Sequence, residues 1–332
     1  MTNSGFLLSR QAHQSHQGLQ IILWIKSSSG AVKLLIDNEL ALFFIEKTQL
    51  NAVLTLLSKN KIALKKFRSL ALTTFNQQPV SVLYFSSLQN FYRAREILAK
   101  ENIKSYEDDI RPEDRFLMER NITASLDYQG FTSKCTNVFD SHNLNKAAVN
   151  QFTLVKNTQC KRTIKPDDII LSMLSIDIEC SENDELYSIG LYALTKDETG
   201  IETEFKKVLM IGQPQISSEN YIDWLSNEQQ LLQQFIHELI AFDADILIGW
   251  NVINFDFLLL QKRCDIYQIK LAIGRDGSSP YWRRNKNNSE QNFIEIAGRV
   301  VLDGIDLLKT ATYSFTSFSL DNVAHSLLGL RK

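Results

Sequence analysis

The sequence predicts an α/β (α+β) protein of two domains: a smaller mixed, strand-rich domain over 1–165, then a mixed-sheet domain over 166–332. Three observations carry this. At 332 residues the chain is long enough for two domains of ordinary size. Its first part opens on short β-like runs separated by turn signals. Its second part has another order: three strands on short connections, then helix, strand, helix, strand.

Hydrophobic residues at 44% and charged residues at 22% describe an ordinary soluble globular protein. With 36 Lys and Arg against 38 Asp and Glu, the net charge of −2 gives no bulk attraction to nucleic acid or to an anionic membrane. Any nucleic-acid contact must then be local. Cys135, Cys160, Cys180 and Cys264 form no C-x-x-C pair, which points to a reducing compartment and away from zinc or a disulfide framework. No apolar run approaches a membrane span and the N-terminus has no signal-peptide pattern, so the expectation is a cytoplasmic protein without a membrane partner.

In the first part, Gly5–Arg10, Leu19–Lys26, Ala31–Ile36 and Ala41–Ile45 read as strands, with a turn at Ser27-Ser-Ser-Gly30. Gln49–Ser58 has helical apolar spacing, and Val80–Phe85 reads as a strand after Pro79. Leu88–Lys100 is an amphipathic helix with Phe91, Ala94 (or Arg95) and Leu98 on one side. Pro112 opens a further helix, since its fixed φ suits a first turn. The more polar stretch Asn121–Pro166 is expected to form a linking sheet.

In the second part, Leu171–Glu179, Leu186–Leu194 and Phe205–Ile211 make an antiparallel meander. Ser226–Phe242 is a helix, with Ser226 and Gln229 as a capping box. Asp245–Trp250 is a short apolar strand, expected parallel to the first because a helix precedes it. A helix over Asn254–Tyr267, a strand pair in Phe293–Asp303 and short helices near Ile305–Thr310 and Leu320–Leu328 follow. This is the element order of a ribonuclease-H-like fold.

The first of these strands carries the chemistry. Alternation puts Leu174, Ile176 and Ile178 on one face and Met173, Ser175, Asp177 and Glu179 on the other. Two carboxylates on one side of a strand end repel, and a hard divalent cation such as Mg²⁺ resolves the repulsion. Taken alone, such a pair more often marks two solvated acids at a hairpin mouth. A second acid cluster is expected in Ile246–Asp256, where a strand ends at Gly249-Trp250-Asn251 and Asp256 enters the next helix. Ligands gather beyond the carboxyl ends of parallel strands, so Asp256 should arrive near Asp177 and Glu179. Alone, Asp256 also fits the positive end of its helix.

Asp177-x-Glu179 followed by Gly249-Trp250-Asn251-x-x-x-Phe255-Asp256 is similar to the first two motifs of the family B DNA polymerase 3′–5′ exonuclease. Similar stretches extend the resemblance over essentially the whole length: Gly5–Arg10, Asp109–Arg120, Gly298–Lys309 and Ser317–Asp321. It implies that Asp177 bridges two Mg²⁺ ions, for which Mn²⁺ can substitute. Glu179 would bind one ion and help place the attacking water, and Asp256 would serve the second. Asn251 and Phe255 would lie near the 3′-terminal nucleotide. The implied partners are DNA, as a single-stranded 3′ end or primer-template, and the remainder of a polymerase chain.

The family's third exonuclease motif, Tyr-x-x-x-Asp, is expected a few dozen residues beyond Asp321 and does not occur in these 332 residues; nor does a polymerase palm. A weak or inactive nuclease is therefore expected of these residues alone. Tyr281-Trp-Arg-Arg-Asn-Lys-Asn-Asn288, with Arg283 and Arg284, interleaves aromatic and basic groups in a candidate DNA-contacting loop; a solvated loop fits equally. Tyr313, Phe315, Ser317 and Phe318 are candidates for lining a single-strand channel, although aromatics so spaced also suit a core. Two other functions stay open: a non-catalytic module that binds single-stranded DNA or docks on a partner, and a nuclease of the same fold acting on RNA.

Overall fold

A computed structural model describes residues 3–140, 147–164, 168–196, 202–214, 219–284 and 292–329. The chain divides into two compact units, one of Met1–Ser133 with Thr153–Ile169, the other of Lys134–Phe152 with Ile170–Lys332. The expected cut at 165/166 lies near the third crossing of the chain between the units, at 169/170, and Lys134–Phe152 groups with the second unit.

In the first unit, β1 (Asn3–Ser15), β2 (Gly18–Ser27) and β3 (Gly30–Glu39) form an antiparallel meander. Then come β4 (Ala41–Glu46), α1 (Leu50–Lys59), β5 (Lys66–Thr73), β6 (Pro79–Phe85), α2 (Leu88–Lys100), β7 (Ser105–Tyr106) and α3 (Pro112–Glu119). β8 (Ser125–Phe139) and β9 (Ala148–Arg162) close a five-stranded barrel in the order β1-β2-β3-β9-β8. Within the polar Asn121–Pro166 stretch, Ser125–Phe139 and Ala148–Arg162 are thus two long barrel strands, many of whose residues are exposed. Strands β5-β6-β4-β7 form an antiparallel sheet. The inward positions of β4 and β6 share a core with α1 and α2, where the Phe43 and Phe85 rings stack at 5.3 Å. β5 escaped the sequence reading because almost all of it is exposed and no face of it is apolar.

The second unit is built on β10 (Met173–Cys180), β11 (Leu186–Lys196), β12 (Glu202–Ile211), β13 (Ile222–Leu225), α4 (Glu228–Phe242), β14 (Ile246–Gly249), α5 (Asp256–Ile266), β15 (Tyr281–Arg284), β16 (Asn292–Glu295), β17 (Val300–Asp303), α6 (Gly304–Thr310) and α7 (Leu320–Leu328). Its mixed sheet runs β13-β12-β11-β10-β14-β17. The expected meander is present, and β14 pairs in parallel with β10 as the intervening helix required. Phe293–Asp303 is not one hairpin: β16 pairs with β15, whereas β17 lies parallel to β14. The α4 cap also differs from expectation. Asn227, not Ser226, is the N-cap, accepting from the Gln230 N–H, and the Gln230 side chain accepts from the Ser226 N–H.

A buried polar cluster anchors the far ends of the central strands. The Arg275 guanidinium pairs with Asp243 at 2.8 Å and Asp245 at 2.7 Å, while Arg299 pairs with Asp243 at 3.0 Å and donates to Asn150. Asp245 also accepts from the Ser172 N–H and hydroxyl at 3.0 Å, which ties the start of β14 to that of β10. Buried charges persist only when paired in this way. No helix among the described residues is long and apolar enough to cross a membrane.

Candidate active site

β10 alternates as expected: Leu174, Ile176 and Ile178 are buried, while Asp177 and Glu179 are exposed on the other face. The pairing of β10 with β14 stops at Ser175 opposite Ile248, so the acid-bearing end of β10 has no strand beside it there. The chain after β14 fills that place. Gly249 passes so close to β10 that a Cβ on it would stand 2.7 Å from the Ile176 carbonyl oxygen. Asn251 takes a left-handed φ of 58°, and its carbonyl accepts from the Phe255 N–H at 2.9 Å. The turn delivers Asp256 to the first position of α5, which therefore begins two residues later than its sequence pattern suggested.

Asp256 is buried, and the backbone N–H groups of Ile178 and of Asp256 itself lie near enough to its carboxyl to favour the charged form. Ile178 is the residue between Asp177 and Glu179. The third acid thus stands within electrostatic reach of the strand end that carries the first two. Burial, and then the charge of Asp177, push the Asp256 carboxyl up to about 7; the two backbone N–H groups oppose this and Asp303 adds to it. Desolvation and like charge both disfavour a carboxylate, so the site is short of positive charge.

Asp303 is a residue whose role the sequence did not reveal. It is buried at the end of β17, where its two oxygens accept from Ile253 N–H at 3.0 Å and Ile305 N–H at 2.9 Å. It fastens the Asn251–Phe255 turn to β17 and caps α6 with one carboxylate. Both oxygens are engaged by backbone, a positioning arrangement.

The remaining candidates collect around this turn. The Phe255 ring is exposed at the helix N-cap. Trp250 lies against Gly304, and its indole N–H donates to the Phe318 carbonyl at 3.0 Å, which ties Ser317 and Phe318 to the same turn. Tyr313, Phe315 and Phe318 form a ring cluster with centroids 6.1 and 5.4 Å apart; Tyr313 is exposed and the other two are half-buried, so they are not core. A cleft of about 600 Å³ runs from Met173, Ser175 and Asp177 across Trp250 to Leu307 and Leu320. Arg283 and Arg284 are exposed on β15 in a two-stranded ribbon, not a loop, and Arg283 stacks over Phe293 at 4.7 Å. The ribbon reaches the turn through Asn292, the register partner of Arg284, whose N–H donates to Asn254 at 2.9 Å. Residues 285–288 of the proposed contact lie outside the described residues.

The donors suit a hard divalent cation, being carboxylate oxygens in a site with surplus negative charge. As the side chains stand, no three His, Cys, Asp or Glu among the described residues are gathered closely enough to hold an ion. The fit is therefore one of donor chemistry at Asp177 and Asp256, with Glu179 next along the strand.

Residues 103–323 match the family model described as DNA polymerase family B, exonuclease domain. The chain belongs to this family. Family B exonuclease domains are in general dependent on divalent metal ions. The chain is 30% identical over 99% of its length to DNA polymerase II of Escherichia coli, of which it covers 39%. It is 29% identical over 49% of its length to a DNA polymerase of Thermococcus sp. strain 9oN-7, covering 20% of that protein. The family B DNA polymerase of Pyrobaculum calidifontis superposes on 99% of the chain with a TM-score of 0.67 at 15% identity, and 40% of that chain is covered. The chain thus spans about two fifths or less of the polymerases it matches. These likenesses agree with the ribonuclease-H-like exonuclease fold and the strand-rich N-terminal region.

Proposed function

We propose that the second unit is the proofreading site of a DNA polymerase acting in replication or repair, and that it hydrolyses the 3′-terminal phosphodiester of DNA. The observation that carries this reading is the buried Asp256 carboxyl, close to the Ile178 N–H and raised by the charge of Asp177 on the neighbouring strand end. Asp177, Glu179 and Asp256 would hold two Mg²⁺ ions, with Mn²⁺ as a substitute. Bound there, such ions would stabilise the attacking and leaving oxygens of the displacement.

The chain's own groups do the rest. The Phe255 ring, exposed beside the acids, offers a stacking face to the terminal base, and Asn251 shares its turn. The cleft from Asp177 to Leu320 gives the terminal nucleotide an apolar bed, walled by the Ser317–Phe318 segment that Trp250 holds. Arg283 and Arg284 face solvent where they can meet backbone phosphates.

The spread of the acids also suits a binding module of the same fold without catalysis. Degradation of 3′-labelled single-stranded DNA and RNA, with Mg²⁺, Mn²⁺ or EDTA, separates the readings. Metal-dependent shortening of DNA that Asp177→Ala abolishes is expected. Binding without shortening would favour the module, and faster shortening of RNA would favour a ribonuclease.

A further inference from the structure

Charge is distributed unevenly along this chain. Between Glu46 and Glu96 stand eight Lys and Arg and no Asp or Glu. Removing those eight from the total of 36 leaves 28 cations against 38 acids elsewhere, so a stretch of +8 sits in a chain of net −2. Local density of this kind, and not the net figure, governs contact with a polyanion.

Folding presents much of this charge at one margin of the first unit. β5 is an edge strand with β6 as its one neighbour. Lys65 precedes it, and Lys66 and Arg68 share one of its faces; all three are exposed. Among the described residues none of the three is in an ion pair, while the Lys66 ammonium lies over the Tyr84 ring at 4.8 Å. On the other side, Arg93 of α2 donates to the Asn60 carbonyl at 3.1 Å, which brings it beside the basic end of α1 at Lys59 and Lys61. Aromatic side chains lie along the same edge: Phe67, on the opposite face of β5 from Lys66 and Arg68, is 47% exposed, and Phe75, just past the strand, is fully exposed. The core gains nothing from an aromatic ring left in water among unopposed cations. Cations that meet phosphates and isolated rings that meet bases are the two parts of a single-strand binding surface.

We infer that the β5 edge, with Lys65, Lys66, Arg68, Phe67 and Phe75, binds single-stranded nucleic acid. This surface shares no residue with the acidic site and does not depend on the function proposed for it. Rings exposed singly serve as stacking platforms, which favours a nucleic acid over an acidic peptide needing pockets for its side chains.

The test is fluorescence anisotropy of labelled oligothymidylate in EDTA, where the acidic site is kept free of metal. Lys65→Glu with Lys66→Glu and Arg68→Glu should weaken binding by at least about tenfold at low salt. Losing three phosphate contacts should also lower the slope of log affinity on log salt by about two. Phe75→Ala should weaken binding of oligothymidylate but not of heparin. The corresponding triple Gln variant, expected to fall between wild type and the reversal, keeps the test open if circular dichroism shows the reversal unfolded. Wild-type affinity in the charge variants overturns the proposal. An oligoglutamate peptide bound as tightly as oligothymidylate also overturns it, by assigning the surface to an acidic protein.

Discussion

Asp256 is held where its charged form is disfavoured, and the consequence is measurable without DNA. Its carboxyl has an ordinary value of 3.8 and is pushed up to about 7 in the fold, by burial first and then by Asp177. Between those values the folded chain binds the proton more tightly than the unfolded chain does. Without divalent ions, the corresponding stability is therefore complete below about pH 4 and is lost as pH rises through about 7, a change on the order of 2 to 4 kcal/mol. Asp256→Asn keeps an acceptor for the Ile178 N–H and removes the charge. In EDTA it should melt at a higher temperature than wild type at pH 8 and close to wild type at pH 5; equal melting at pH 8 would mean that Asp256 carries no such burden. A cation relieves the same repulsion, so Mn²⁺ should stabilise wild type at pH 8. Asp177→Ala should lose calorimetric Mn²⁺ binding while keeping its fold, and an unchanged affinity would remove Asp177 from the site. At this scale Asp177 and Glu179 were legible because strand alternation is local. Asp303 was not, because it accepts from Ile253, fifty residues earlier in the chain.

At the scale of elements, the site depends on β10 outrunning β14 and on the Asn251–Phe255 turn occupying the vacated edge. Asp303 holds that turn. Asp303→Ala leaves the N–H groups of Ile253 and Ile305 without their acceptor, and should destabilise the second unit by roughly 2 to 4 kcal/mol. Because the turn carries Asn251 and Asp256, the variant should also weaken Mn²⁺ binding, read by calorimetry well below its melting temperature. Wild-type affinity there would confine Asp303 to stability alone. The β15–β16 ribbon permits a separate check. Arg283→Ala with Arg284→Ala should weaken single-stranded DNA binding modestly and flatten its salt dependence. If this double variant binds as wild type at low salt, the ribbon is not on the DNA path. Helices with one apolar stripe, α2 and α4, were legible nearly to the residue. The division of Phe293–Asp303 between two sheets was not, since β17 pairs with β14, more than fifty residues earlier in the chain, while β16 pairs locally with β15. The α4 cap slipped by one residue because Ser226 and Asn227 are both good caps, and only the fold chooses between them.

At the scale of the molecule, the acidic site is defined by how many carboxylates it can bring to one phosphodiester. Asp177, Glu179 and Asp256 are the acids that the two motifs place at the ends of β10 and β14. They do not yet converge to ion-holding distance, and no Tyr-x-x-x-Asp occurs among the 332 residues to add a fourth carboxylate and a tyrosine that orients water. Displacement at phosphorus needs the water aimed in line, and misplacing a positioning contact costs about a hundredfold in rate, a missing ligand more. Residues 1–332 alone are therefore expected to bind divalent metal and DNA ends, yet to shorten DNA at least about a hundredfold more slowly than a chain extended through a Tyr-x-x-x-Asp segment. The measurement is a 3′-end degradation assay on both chains at matched concentration, with Asp177→Ala in each. Equal rates that Asp177→Ala abolishes would show that another residue orients the water. Equal rates that survive Asp177→Ala would place the chemistry elsewhere than the end of β10.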